Sequence, residues 1–79
     1  MTPRAAIESW DSGQQPDLER LARLIRDLSD GRCHLYPVDT GMNEYAVVVS
    51  NMPLSEAEVQ QLWERSQTER LPDIVELAP

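Results

Sequence analysis

Glu44-Tyr45-Ala46-Val47-Val48-Val49-Ser50 is the one run in this chain with several adjacent β-branched residues. Gly41 and Asn43 precede it, and Asn51 and Pro53 follow it. Turn formers on both sides of a β-branched run read as a strand. Side chains alternate along a strand, so Tyr45, Val47 and Val49 share one face and Ala46 and Val48 the other. The centre is apolar on both faces, which makes this an inner strand. The elements around it are expected to be laid against it, with the helices on one side.

Working back from this strand, Arg32–Val38 reads as a second strand, joined to it by a turn over Asp39-Thr40-Gly41-Met42-Asn43. Pro37 has no amide to give a ladder, so this strand belongs at an edge. Further back, Leu18, Leu21, Ala22, Leu24, Ile25 and Leu28 recur at helical spacing. Pro16 and Asp17 mark the start of that helix and Gly31 its C-cap. Its other face carries Glu19, Arg20, Arg23, Arg26, Asp27 and Asp30, with Glu19–Arg23 and Arg26–Asp30 at pairing distance in sequence. At the N-terminus, Thr2-Pro3 resembles a helix start, so residues 3–10 are expected as a short helix; an edge strand is the alternative, since Ile7 is β-branched.

Forward of the central strand, Ser55-Glu56-Ala57-Glu58 is a capping box, with Leu54 and Val59 placed as a hydrophobic staple. A helix from about Glu56 to Glu69 follows. Its narrow apolar stripe of Val59, Leu62 and Trp63 would lie on the core rather than inside it. Asp73-Ile74-Val75-Glu76-Leu77 reads as a short third strand on the free side of the central one. The expected fold is α+β, one small domain spanning residues 1–79 in the order α-α-β-β-α-β. A two- or three-stranded antiparallel sheet would be packed by helices on one face.

Composition narrows the class. The chain has 79 residues, 41% of them hydrophobic, enough for one modest core. It has one cysteine, Cys33, which excludes an internal disulfide and a multi-cysteine zinc site. A reducing cytoplasm is the expected compartment. No signal peptide and no membrane-spanning window are read. Cys33 and His34 are the only nucleophile and base of the usual kind. On a strand they leave on opposite faces, and they cannot share a proton there. No metal-ligand spacing, calcium loop or phosphate loop is present. The expectation is therefore a non-enzyme without a cofactor.

Charge is the most informative feature. Fourteen acids face seven Arg, for a net charge of −7, and there is no Lys. Such a chain is repelled by nucleic acid and anionic membranes and attracted to basic surfaces. Residues 55–79 hold six acids against two Arg, the densest negative segment. Its carboxylates are Glu56, Glu58, Glu64, Glu69, Asp73 and Glu76. They read either as ordinary solubilising charge or as an array that docks on a basic groove.

In size, charge and element content, the whole chain resembles the small acidic phage-encoded anti-CRISPR and anti-restriction inhibitors. The resemblance implies binding to a CRISPR surveillance complex, in the host cytoplasm, where DNA would enter. Carboxylates would stand in for phosphates, and the chain itself would contact no nucleic acid. The reading from another class is a small adaptor or antitoxin-like regulatory module. It would bind a protein through the Val59-Leu62-Trp63 stripe or an exposed Trp10.

Overall fold

The computed structural model describes residues 2–29, 32–41 and 43–77. The element order is β1 (Arg4–Asp11), α1 (Leu18–Ser29), β2 (His34–Val38), β3 (Glu44–Ser50), α2 (Glu56–Thr68) and β4 (Val75–Glu76). The strands form one four-stranded antiparallel sheet in the order β2-β3-β1-β4. The α+β class and the central position of β3 agree with the sequence reading. The element order and the strand number do not.

The first correction concerns residues 3–10, which form most of β1 rather than a helix. The pairing of β1 with β3 runs its full length, from Ala5↔Ser50 to Asp11↔Glu44. A helix of this length is marginal on its own. A strand here gains a continuous ladder and buries Ala5 and Ala6 on opposite faces. Nor is β1 an edge, because β4 pairs on its other side through Arg4↔Glu76 and Ala5↔Val75. Since β1 occupies the free side of β3, β4 adds to β1 and not to the central strand. Pro3 fits the end of this arrangement: its carbonyl accepts from the Leu77 amide at 2.8 Å, and its missing N–H ends the ladder there.

The second correction concerns the layers, because the helices do not share a face. Ala5 and Val48 pack with Val59 and Leu62 of α2 and with Val75. Ala6 and Val49, each next door in sequence, pack with Leu24 and Leu28 of α1. The sheet is therefore sandwiched between α1 and α2, and the core is two thin layers. The element order and strand order are those of a split β-α-β arrangement. Its two crossovers run in opposite directions across the sheet, between strands of opposite sense. Equal handedness would put both helices on the same side, so one crossover here is left-handed, a rare choice.

Local chemistry explains the ends of both helices. The Asp17 carboxylate accepts the Arg20 amide at 3.0 Å and caps α1. The Arg4 guanidinium donates to the Leu28 carbonyl at 3.2 Å, at the other end of α1. Gly31, Asp30 and Met42, read as a C-cap, an ion-pair partner of Arg26 and a turn residue, lie outside the described residues. The Leu18 side chain, expected on the buried stripe of α1, is 66% exposed.

On α2 the capping box forms as expected. The Glu58 amide donates to Ser55 Oγ at 3.2 Å, and the Ser55 amide donates to Glu58 Oε1 at 2.9 Å. Leu54 packs on the same cluster as Val59. Val59, Leu62 and Trp63 are all buried, so the stripe lies inside the core and cannot be a docking surface. Ser55→Ala is expected to lower stability by ~1 kcal/mol, read as a shifted urea midpoint. The backbone hydrogen bond from Ser55, then its hydroxyl, holds the Glu58 carboxyl below the usual carboxylate range. Glu58 therefore stabilises the fold above its unfolded pKa, and the contribution fades as pH falls through its lowered folded value. A Ser55→Ala effect that is the same at neutral and strongly acid pH would uncouple the two halves of the box.

Candidate functional site

Strand alternation sorts the charged residues onto the two sides of the sheet. Asp11 and Glu44 share the α2 side with Ala5 and Val48, and they oppose each other across β1 and β3. Glu56, Glu58 and Glu64 lie on α2, against a single cation in that helix, Arg65. By contrast, α1 carries Arg20, Arg23 and Arg26 against Glu19 and Asp27. The negative surplus thus gathers on the α2 side.

The six carboxylates singled out from sequence do not form one array. Glu56 and Glu64 flank Gln60 along one exposed stripe of α2, spaced by single helical turns. Glu58 is held in the capping box. Glu69 accepts from Arg65 at 3.1 Å. Asp73 reaches the α1 side, where it pairs with Arg20 at 3.4 Å. Val75 belongs to the α2-side core, so its neighbour Glu76 faces the α1 side. Two of the six are thereby removed from the α2 surface.

An acidic residue that the sequence reading left out of this set lies at one cleft with Glu56 instead. An open cleft of about 850 Å³ lies between β2 and α2, lined by Tyr36, Pro37, Val38, Asp39, Leu54, Glu56, Ala57, Val59 and Gln60. Asp39 takes the Gly41 amide at 3.1 Å, which fixes the turn that presents it. Gly41 sits at φ +69, a conformation that favours glycine. Tyr36 fixes the other wall, its hydroxyl accepting from the Leu54 amide at 2.9 Å. An apolar floor with two acidic residues at its lining suits a chain that is aliphatic along its length and cationic at its end.

The Cys33–His34 pair behaves as the alternation requires. Cys33 is a free, half-buried thiol packed against the α1-side core. His34 lies on the α2 side and stacks on Tyr36, with ring centroids 6.4 Å apart. The two side chains do not meet. Among the described residues, no group of three His, Cys, Asp or Glu side chains could hold a metal ion. No helix among them is long and apolar enough to cross a membrane.

The α1 side holds a different kind of surface. Here α1 covers Ala6 and Val49 but leaves the sheet open towards β2. Leu35 neighbours Val49, Pro37 neighbours Val47, and Trp10 neighbours Tyr45 across the strands. Leu35 and Tyr45 are each 55% exposed. The rings of Trp10 and Tyr45 stack at 6.0 Å, so Trp10 is half-buried against its neighbour rather than isolated. Sequence reading missed this floor because alternation identifies a face without saying how far a helix covers it. No family model, curated protein or solved structure matches this chain.

Proposed function

We propose that this chain is an acidic inhibitor of the anti-CRISPR type. It docks its α2 side on the basic, nucleic-acid-binding surface of a protein complex and excludes DNA from that surface. The observation that carries the reading is the placement of charge: Asp11, Glu44, Glu56, Glu58 and Glu64 share one side of the sheet, while α1 is cation-rich. Asp39, Glu56 and Glu64 make the principal contacts. The β2–α2 cleft receives an Arg or Lys side chain, its stem on Val38, Leu54 and Val59 and its charge against Asp39 and Glu56. The carboxylates compete for cations that would otherwise neutralise phosphates.

The test is competition against purified CRISPR surveillance complexes and their target DNA. The wild-type protein is expected to displace DNA, less effectively as salt rises. Asp39→Asn, Glu56→Gln and Glu64→Gln combined are expected to weaken binding without unfolding the domain. Each exposed pair contributes ~0.2–1 kcal/mol, so the three changes are made together. A complex that holds DNA and this protein at once, indifferent to salt and to the triple change, would remove the proposal. The second reading is a protein–protein adaptor, favoured by the open apolar floor on the α1 side.

A further inference from the structure

One wall of the β2–α2 cleft is aromatic and fixed in place. Tyr36 projects from β2, and its hydroxyl accepts the amide of Leu54, two residues before α2 begins. Both residues line the cleft. The ring therefore spans the gap from the sheet to the segment that leads into the helix, and it is held at both ends.

The orientation of the ring follows from its neighbour. His34 and Tyr36 lie two apart on one face of β2, with centroids 6.4 Å apart and planes 16° apart. Two residues of strand rise by roughly 6.6 Å. Rings that are nearly parallel at that spacing lie across the strand, with their faces turned along it. One face of Tyr36 is thus covered by His34. The other looks towards Val38, the next side chain on the same side of the sheet. Val38 lines the cleft, and His34 is not part of its lining. The free face of Tyr36 is therefore the end wall of the cleft. The acidic residues beside it are not neutralised from within the fold. Among the described residues, the ion pairs use Glu8, Asp73 and Glu69, and none uses Asp39 or Glu56. Both of those residues are exposed.

We propose that the cleft is selective for a guanidinium group, the end of an arginine and not of a lysine, laid flat on Tyr36 with its edge towards Asp39 and Glu56. This inference rests on the reading of the α2 side as a surface that takes cations from a partner. A guanidinium is planar, and its N–H groups all point outward in that plane. It can therefore stack on the ring and donate to acidic side chains at the same time. An ammonium is a compact, strongly hydrated charge, and it gives up more water to enter a cleft with an apolar floor. The Leu54 bond and the His34 stack hold the ring before any ligand arrives, so binding does not have to order it.

Titration of the isotope-labelled full chain with acetyl-arginine methylamide and with acetyl-lysine methylamide tests this. The two probes carry the same single charge, so charge alone would bind them equally. The reporters are the Gly41 amide, bonded to Asp39, and the Leu54 amide, bonded to Tyr36. Blocked arginine is expected to shift both resonances and to bind at least about threefold more tightly than blocked lysine. Tyr36→Leu is expected to abolish that preference. Asp39→Asn with Glu56→Gln is expected to weaken blocked arginine by at least about threefold, and the asparagine keeps an oxygen for the Gly41 amide. Both of these residues are exposed, so the double change still reads the cleft if Tyr36→Leu unfolds. Equal binding of the two probes, silence of both reporters, or indifference to the double change overturns the proposal. A chain that binds blocked arginine in the cleft but never displaces DNA from a surveillance complex retains this inference and loses the anti-CRISPR reading. A chain that displaces DNA but ignores blocked arginine does the reverse.

Discussion

Leu62→Ala is expected to lower the stability of this domain by ~3 kcal/mol, while Leu18→Ala changes it by less than ~0.5 kcal/mol. Both are leucines on amphipathic helices, and their sequence patterns look alike. Leu62 is 2% exposed and packs with Val59 of its own helix, with Ala5 and Val48 of the sheet and with Val75. Removing its side chain leaves a void at the junction of α2, β1, β3 and β4. The α2-side layer is thin, because Ala5 and Ala46 supply little volume beneath the helix. A domain of this size is held by only about 5–15 kcal/mol, so the loss is a large share of the whole. Leu18 is 66% exposed, and its truncation opens nothing. Urea titration decides the matter: the midpoint should fall for Leu62→Ala and hold for Leu18→Ala, with the slope unchanged in both. Equal shifts would mean that α1 and α2 are buried to similar depths along their whole length, contrary to the layering described.

The contrast between those two leucines also marks where the sequence is readable. Local signals translate directly. The β-branched run became β3, Pro37 lies in an edge strand, and the Ser55–Glu58 box forms both of its hydrogen bonds. Each is decided by residues within a few positions of one another. What was not legible depends on partners distant in the chain. Thr2-Pro3 is a fair helix start, but the ladder to residues 44–50 outweighs it. Both faces of β3 are apolar, with Val48 and Val49 fully buried, and a strand buried on both faces needs cover on both. That signal was present in Val47-Val48-Val49 and argued against helices on one side only. The site divides in the same way. The excess of acid is visible in composition, but the side of the sheet each carboxylate occupies follows from register. Asp73 and Glu76 were grouped with Glu56 by proximity in sequence, and the path into β4 carries them to the α1 side. Asp39 was left out of the acidic set because a turn is a sufficient account of Asp-Thr-Gly until the adjoining cleft is known.

Arg20→Ala is expected to cost ~2–3 kcal/mol. Its guanidinium joins three acceptors, two on β1 and one in the loop before β4. Nη1 bonds the Glu8 carboxylate at 2.6 Å and the Ile7 carbonyl at 3.3 Å. Nη2 reaches Asp73 at 3.4 Å. The Glu8 side chain is only 12% exposed, so truncating Arg20 leaves a largely desolvated carboxylate and an edge carbonyl without their donor. Burial alone would pull the Arg20 pKa down; the hydrogen bonds and charges of Glu8 and Asp73 outweigh it and raise the value above the ordinary arginine range. A raised pKa in a basic group stabilises the fold below its unfolded value and is lost only above it. The Arg20 contribution is therefore flat across neutral pH and fades only in strong alkali. Arg20→Lys should recover part of the loss, since one ammonium cannot reproduce a planar fork on three acceptors. Asp73→Ala should cost under ~1 kcal/mol, because that carboxylate is 82% exposed and screened. Urea melts of the three variants should therefore rank Arg20→Ala, then Arg20→Lys, then Asp73→Ala. If Asp73→Ala matches Arg20→Ala, the anchor of α1 is the loop before β4 and not the buried carboxylate of β1. If Arg20→Lys matches wild type, charge alone holds the helix, and the fork that covers the sheet edge is dispensable.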